Sequence, residues 1–219
     1  MPRFPFRYSA LAAAAAAPLA LSAPAVAAHA ATTTWTVANP AADGTYDATS
    51  TGSVTIKNQA GTTLLTCTSV QQWGELPSRT STGATAALGR TYGTIGSPCT
   101  RPGGGTAVLI GTETAGVGPI YYTATGHDAA TGRTTISGAQ SSPYGILVMA
   151  DDCRFSFGDI SASYDNATRT LTYTGAVATP FTTANTDGSV GCAGVAASGE
   201  TITFTGEFAV SPAIEITRT

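Results

Sequence analysis

The chain has 219 residues, with 10 Lys and Arg against 13 Asp and Glu, a formal net charge of −3 at pH 7 and only 11% charged residues. That acidic, sparsely charged balance excludes the basic footprint of a nucleic-acid binder. Hydrophobic residues make up 42%, and Trp35, Trp73, Leu64, Leu65, Ile146, Leu147 and Phe204 can bury area, so the composition speaks for a folded domain rather than disorder.

In chain order, the first feature is an export leader over residues 1–30. Arg3 and Arg7 form a basic n-region and Ala10–Leu21 is apolar but for Pro18. Ala28-His29-Ala30 fits the small-x-small pattern of a signal-peptidase site. The apolar run is shorter than the roughly 20 residues a spanning helix needs, and no cysteine follows it to carry a lipid. Expected are cleavage after Ala30 and a secreted mature chain, extracellular or loosely cell-surface associated, without a transmembrane segment. With Arg3 and Arg7 removed the mature chain is more acidic, and Lys57 is its only lysine.

Downstream, strand-like alternation recurs. Thr33–Ala38 and Ser53–Lys57 alternate threonine with apolar residues, and Asn58-Gln59-Ala60-Gly61 reads as a hairpin turn into Thr62–Val70. Thr106–Ile110, Ile120–Ala124, Thr134–Ser137, Gly145–Ala150, Arg154–Phe157, Ile160–Tyr164, Thr170–Thr174 and Thr201–Val210 continue the series. Threonine suits the outer face because β-branching favours extended backbone while the hydroxyl stays solvated. Helical periodicity is essentially absent. The predicted fold is all-β: one antiparallel sandwich or partly open barrel over residues 31–219.

Two local patterns refine this. Ala124–Arg133 and Ala162–Arg169 each run from an alternating strand into an Asp-containing turn with an Ala-Thr pair, where Asp128 and Asp165 can bond to amides two residues on. Ser97–Gly105, with Pro98, Pro102 and three consecutive glycines, reads as a loop within one domain, with subdivision near 98–105 as the alternative.

Cys67, Cys99, Cys153 and Cys192 permit three pairings. The sequential one, Cys67–Cys99 and Cys153–Cys192, is favoured because each bridge joins a strand-like cysteine to one in a Gly- or Pro-rich turn. There is no Cys-x-x-Cys pair and no close cysteine–histidine spacing, so the cysteines read as two structural disulfides rather than redox or zinc ligands.

Catalytic signatures are missing from the pattern. His127 is the sole histidine after the leader and reads as a turn residue, and no Gly-x-Ser-x-Gly elbow occurs. Asp151, Asp152, Asp159, Asp165, Glu75 and Glu113 are the carboxylates from which a hydrolase pair would be drawn. Asp151-Asp152 with Asp159, or Asp43 with Asp47, are the candidate calcium oxygens, without an EF-hand or Gly/Asp repeat. No catalytic, metal or cofactor residue is assigned. Trp73, Tyr121, Tyr122 and Tyr144 are the candidate ligand-facing aromatics, whereas Trp35 reads as core. Asn166-Ala167-Thr168 matches the glycosylation triplet but doubles as a hairpin turn.

The chain resembles a group of secreted β-rich proteins of Gram-positive actinobacteria, similar to Streptomyces proteins. The resemblance rests on Trp35-Thr36-Val37, Leu64-Leu65-Thr66-Cys67-Thr68, the Gly-rich segment after Cys99 and Thr203-Phe204-Thr205-Gly206. It implies export and a β-fold, and brings no activity or catalytic residue. Composition is also loosely similar to the small disulfide-bearing apoproteins that carry enediyne antibiotics, though this chain is much longer. The leading functional expectation is a secreted, non-enzymatic β-domain with a structural, surface or adhesive role. The alternatives are a carbohydrate- or small-ligand-binding module, then a hydrolase using paired carboxylates. Cell-wall glycan or an extracellular protein are the expected kinds of partner.

Overall fold

Alternation of threonine with apolar residues gives strands throughout the part of the chain that the computed structural model describes, which is residues 32–219 apart from 102–103, 113–118, 141–145, 151–152, 158–159, 175 and 178–201. The first strands are β1 (Thr34–Ala38), β2 (Thr45–Ser50), β3 (Val54–Lys57), β4 (Thr63–Cys67), β5 (Val70–Glu75) and β6 (Arg79–Thr82). They are followed by β7 (Ala86–Thr100), β8 (Thr106–Thr112), β9 (Ile120–Asp128), β10 (Arg133–Gln140), β11 (Ile146–Ala150) and β12 (Cys153–Phe157). The series ends with β13 (Ile160–Asp165), β14 (Thr170–Tyr173), β15 (Ala176–Val177), β16 (Ile202–Ser211) and β17 (Glu215–Arg218).

Most of these strands pair up end to end. β2 and β3 lie along the same edge of β16, and β4 and β5 along the same edge of β7. β8 and β9 share the other edge of β7. β10 with β11, β12 with β13, and β14 with β15 continue the pattern, each pair acting as one interrupted stave. Every stave is antiparallel to its neighbours in chain order, and the first closes on the last through β2, β3 and β16. The result is an eight-stave up-and-down barrel. Closure pairs the edge strands that an open sheet would leave exposed. A sandwich or partly open barrel is therefore replaced by a closed one.

A three-stranded sheet, β17-β1-β6, covers one end. Its inner face carries Trp35, Val37 and Ile216, all buried, and its outer face carries exposed Thr36 and Thr80. Trp35 donates its indole N–H to the Gly83 carbonyl at 3.1 Å and meets the His127 ring edge-on at 6.4 Å. The cap is fastened at the turn between β13 and β14. There the Asn166 Nδ2 donates to the Ile216 carbonyl at 2.8 Å and its Oδ1 accepts from the Ile216 amide at 3.0 Å. The Tyr164 hydroxyl adds a bond to the Ile214 carbonyl at 2.8 Å. The Asn166 amide nitrogen that glycosylation would modify is thus already committed to the fold.

The two Asp turns do what their sequences predict, and they stand side by side. Asp128 accepts from the Ala130 amide, Asp165 accepts from the Ala167 and Thr168 amides, and the Asn166 amide donates to the Gly132 carbonyl between the two turns. Asn58–Gly61 is likewise a turn, with the Asn58 amide bonded to the Thr62 carbonyl at 2.9 Å and Gly61 at φ 79°. Cys67 and Cys99 sit opposite each other on β4 and β7 and form a disulfide. Cys192 lies outside the described residues, and so does the expected Cys153–Cys192 bridge. Residues 1–30 lie outside them as well.

Three expectations change. Thr62–Val70 is two strands rather than one. Ser97–Gly105 is strand through Thr100, followed by a tight turn in which the Arg101 amide bonds to the Gly105 carbonyl and the Gly104 amide to the Arg101 carbonyl. β2, β5 beyond Val70, β6, β7 and β17 were absent from the pattern; β6 and β17 are short and largely polar, and Gly89, Gly93 and Gly96 read as breaks in β7.

Replacement of Asn166 by Ala is expected to lower stability by about 1–3 kcal/mol, the cost of stranding a donor and an acceptor of the cap. Chemical denaturation followed by near-UV circular dichroism, where Trp35 reports on the cap, checks this. Cys67→Ser with Cys99→Ser is expected to cost about 3–4 kcal/mol for a bridge spanning 32 residues, read in the same way.

Candidate functional site

Inward-facing positions of an eight-strand barrel just fill its interior with side chains, and here much of the filling is apolar. Tyr173 stands between Phe204 and Phe208, edge-on to both at 5.1 and 5.2 Å, with Ile56, Leu65, Leu88 and Leu109 also fully buried. Such edge-to-face pairs add to the area they bury.

Through this apolar filling runs a buried line of polar groups. Tyr46 bonds to Thr91, Thr91 to Tyr122 at 2.8 Å, Tyr122 to Tyr173 at 2.6 Å, and Tyr173 to Gln72 Oε1 at 2.8 Å; the Gln72 amide reaches Thr94 at 3.3 Å. One end fixes the direction of the whole line. An amide oxygen only accepts, so Tyr173 donates to Gln72 and must accept from Tyr122. With one proton per hydroxyl, Tyr122 then accepts from Thr91, and Thr91 from Tyr46. Every buried hydroxyl from Tyr46 to Tyr173 is satisfied by this single arrangement, as burial demands. Burial pushes the Tyr46 and Tyr173 hydroxyls well above the ordinary tyrosine range and raises Tyr122, and it pushes Tyr164 up to about 12. The interior tyrosines are therefore neutral hydrogen-bonding groups and supply no phenolate.

Between this line and the cap the interior retains about 20 Å³, bordered by Leu76, Leu88, Ile136, Leu171, Val210 and Ile216 among others. About 10–15 Å³ already admits one water, so this apolar gap takes a group of about that size. Among the described residues it is no chamber for a ligand as large as a lipid or retinoid. A larger open groove of about 400 Å³ lies where β16 changes partner between β2 and β3, lined by Thr51, Gly52, Ser53, Thr172, Thr205 and Glu207. It offers hydroxyls and one carboxylate, but its lining includes no exposed ring and no cation.

The richest chemistry on the described surface is on the outer wall. Pairing register places Asp47, Trp73 and Gly93 in one row across β2, β5 and β7. It places Thr45, Glu75, Arg90 and Tyr121 in the next row, nearer the cap, across β2, β5, β7 and β9. Arg90 Nε lies 2.9 Å from Glu75 Oε1 and its guanidinium carbon sits 4.9 Å from the centre of the Tyr92 ring. Tyr92, and then Arg90, hold the Glu75 carboxyl below its usual range by hydrogen bonding. The Tyr121 and Tyr92 hydroxyls, followed by Glu75, raise the Arg90 guanidinium further. Two bulges in β7 build this place: Tyr92 is the extra residue against β5 and Leu88 the extra residue against β9. Gly93 is required because a Cβ there would collide with the six-membered ring of Trp73, which covers it.

The four candidate aromatics thus separate. Trp73 and Tyr121 share the outer wall, half-buried and 42% exposed respectively. Tyr122 faces inward, 3% exposed, because it follows Tyr121 directly on a strand. Tyr144 lies outside the described residues. Tyr92 stood among the wider set of aromatics that the sequence offered for a ligand cleft, whereas Arg90 was missed, since it sits in a Gly-rich stretch with no alternation to mark a strand. Among the carboxylates, Asp165 bonds to turn amides and pairs with Arg133 at 3.5 Å, while Glu75 pairs with Arg90. Asp43 bonds back to Thr45, and Asp47 points outward beside Trp73. Asp151, Asp152, Asp159 and Glu113 lie outside the described residues. His127 bonds through Nδ1 to Thr134 at 2.9 Å across the β9–β10 pair. Among the described residues, no three His, Cys, Asp or Glu side chains gather to hold a metal ion, and no helix is long and apolar enough to cross a membrane. Asp43, Glu75, Asp128 and Asp165 are all held below the usual carboxylate range by hydrogen bonds, opposite to what a general acid near neutral pH requires.

Comparison with family models, with curated proteins and with solved structures returned no match.

Two pH limits follow. Depressed carboxylates contribute stability above about pH 4, the unfolded value, and lose it as pH falls through their lower folded values. Raised tyrosines contribute stability below about pH 10, the unfolded value, and lose it as pH rises beyond. Melting temperature is expected to fall on both sides of a plateau between these limits. Above pH 10, phenolate absorbance of the interior tyrosines should appear together with loss of near-UV circular dichroism. Tyr173→Phe, which strands Gln72 Oε1 and the Tyr122 hydroxyl, is expected to cost about 1–3 kcal/mol by denaturant titration.

Proposed function

We propose that the protein is an exported, non-enzymatic barrel domain with a structural or adhesive role outside the cell, meeting its partners through its outer wall and loops. The filled interior is the observation that carries this reading. A barrel that works as a carrier needs room inside, and among the described residues side chains and one line of hydroxyls take up the end beneath the cap. Closed pairing, a disulfide and a capped end support a role that depends on holding shape outside the reducing cytoplasm. Carboxylates held ionised by turn amides and by Arg90, with His127 engaged in a cross-strand bond, support a protein that does no proton-transfer chemistry. The leader over residues 1–30 and the resemblance to secreted actinobacterial proteins support the location.

Expression of the full chain in a secreting host tests the location. The mature protein is expected in the medium or on the cell surface, beginning at Ala31, with the Cys67–Cys99 bridge closed by mass after alkylation. Retention of the uncleaved chain in the cytoplasm would overturn it. For the filled interior, added fatty acids, retinoids and anilinonaphthalene dyes are expected to leave the melting temperature unchanged; a saturable upward shift would show an interior site.

A further inference from the structure

We propose that the outer wall around Trp73 is a binding subsite for a neutral carbohydrate chain, with Trp73 and Tyr121 as ring platforms and Asp47, Glu75 and Arg90 as hydrogen-bonding groups. This rests on the reading that the outer wall, not the interior, meets partners. Several observations converge on this patch of wall. Trp73 covers Gly93, so glycine at that position is what lets the indole lie against the strand. Tyr121, one of three exposed large apolar side chains among the described residues, stands in the neighbouring row beside Arg90. Between the rings, Glu75, Arg90 and Tyr92 are joined by an ion pair and a cation–ring contact. Two of the three register shifts of β7 fall here, and bulges re-aim side chains that a regular ladder would hold in register.

The local charge pattern selects the chemistry of the occupant. Arg90 is neutralised by Glu75, and Asp47 adds a second carboxylate beside the indole, so the patch does not attract phosphate, sulfate or nucleic acid. Ring faces flanked by carboxylate acceptors and guanidinium donors suit a ligand with apolar C–H faces and neutral hydroxyls, which describes a sugar. Glu75, Arg90 and Tyr92 brace one another before any ligand arrives, so little of their rotamer freedom remains to be lost on binding.

Intrinsic fluorescence reads the site directly, because Trp35 is buried in the cap and Trp73 is the other tryptophan. The oxidised mature protein is titrated with cellohexaose, chitohexaose, xylohexaose and maltohexaose, and with heparin as the anionic arm. Saturable binding of at least one neutral hexasaccharide is expected. Followed by isothermal titration calorimetry, since Trp73→Ala removes the fluorescent reporter, it should weaken about tenfold or more in Trp73→Ala, and clearly in Tyr121→Ala, with melting temperature and circular dichroism confirming that each variant is folded. Tyr121→Ala removes an exposed ring and keeps the test valid if Trp73→Ala fails to fold. Absence of binding to all four neutral glycans, binding that survives both substitutions, or preference for heparin through the same residues overturns the proposal. Capture of a cell-surface protein unaffected by Trp73→Ala and Tyr121→Ala would overturn this subsite while leaving the adhesive barrel intact. Cytoplasmic retention of the uncleaved chain would overturn the broader reading alone.

Discussion

One strand, β7, has four partners, and the closure of the barrel depends on how it divides its edges among them. Along one side it gives its first half to β5 and its last residues to β4; along the other it pairs first with β9 and then with β8. A regular strand could not follow all four registers, because neighbouring strands twist relative to one another and the misfit grows with length. β7 absorbs it with extra residues at Leu88 and Tyr92 and with glycine at positions where a neighbour crosses closely. The disulfide fastens its far end to β4 at Cys67–Cys99. The same irregularity that lets the wall close also gathers Trp73, Glu75, Arg90, Tyr92 and Tyr121 on the outside, so the surface patch is a by-product of closure.

The interior meets a different constraint. A wall made of short residues, with threonine outside and a modest number of large apolar residues inside, cannot fill a barrel with aliphatic chains alone. Tyrosine solves this by bringing a large ring, at the cost of a hydroxyl that must be paired. Placing Tyr46, Tyr122 and Tyr173 around Thr91 and Gln72 lets each hydroxyl satisfy the next. Among the described residues, the interior is thereby stiffened by its own hydrogen bonds.

The fold class was legible because its signal is local. Thr34–Ala38, Val54–Lys57 and Ile160–Asp165 alternate cleanly, and the Asp128 and Asp165 turns carry their own hydrogen-bonding partners within a few residues. Closure was not legible, since the pairing of β16 with β2 and β3 joins residues some 150 positions apart and leaves no mark in either segment. β7 was hidden for a physical reason: its glycines read as breaks, yet Gly93 and Gly96 are covered by Trp73, Val70 and Leu109 from neighbouring strands. Of the aromatic candidates, the adjacent pair Tyr121-Tyr122 had to point to opposite sides, but which one faced outward depended on the barrel. Arg90 became visible only once its cross-strand neighbours were known.

The single polarity of the buried hydroxyl line has a further consequence. Its protons are shielded from solvent and interlocked, so no hydroxyl can turn away alone to meet water without leaving its neighbour without a partner. If the Gln72 amide turned over, presenting nitrogen instead of oxygen to Tyr173, all four hydroxyls back to Tyr46 would have to reverse in concert. Exchange of these protons with deuterium is therefore gated by opening of the barrel itself. Their resonances, persisting long after the outer hydroxyls have vanished, would serve as an internal clock for how often the closed wall comes apart.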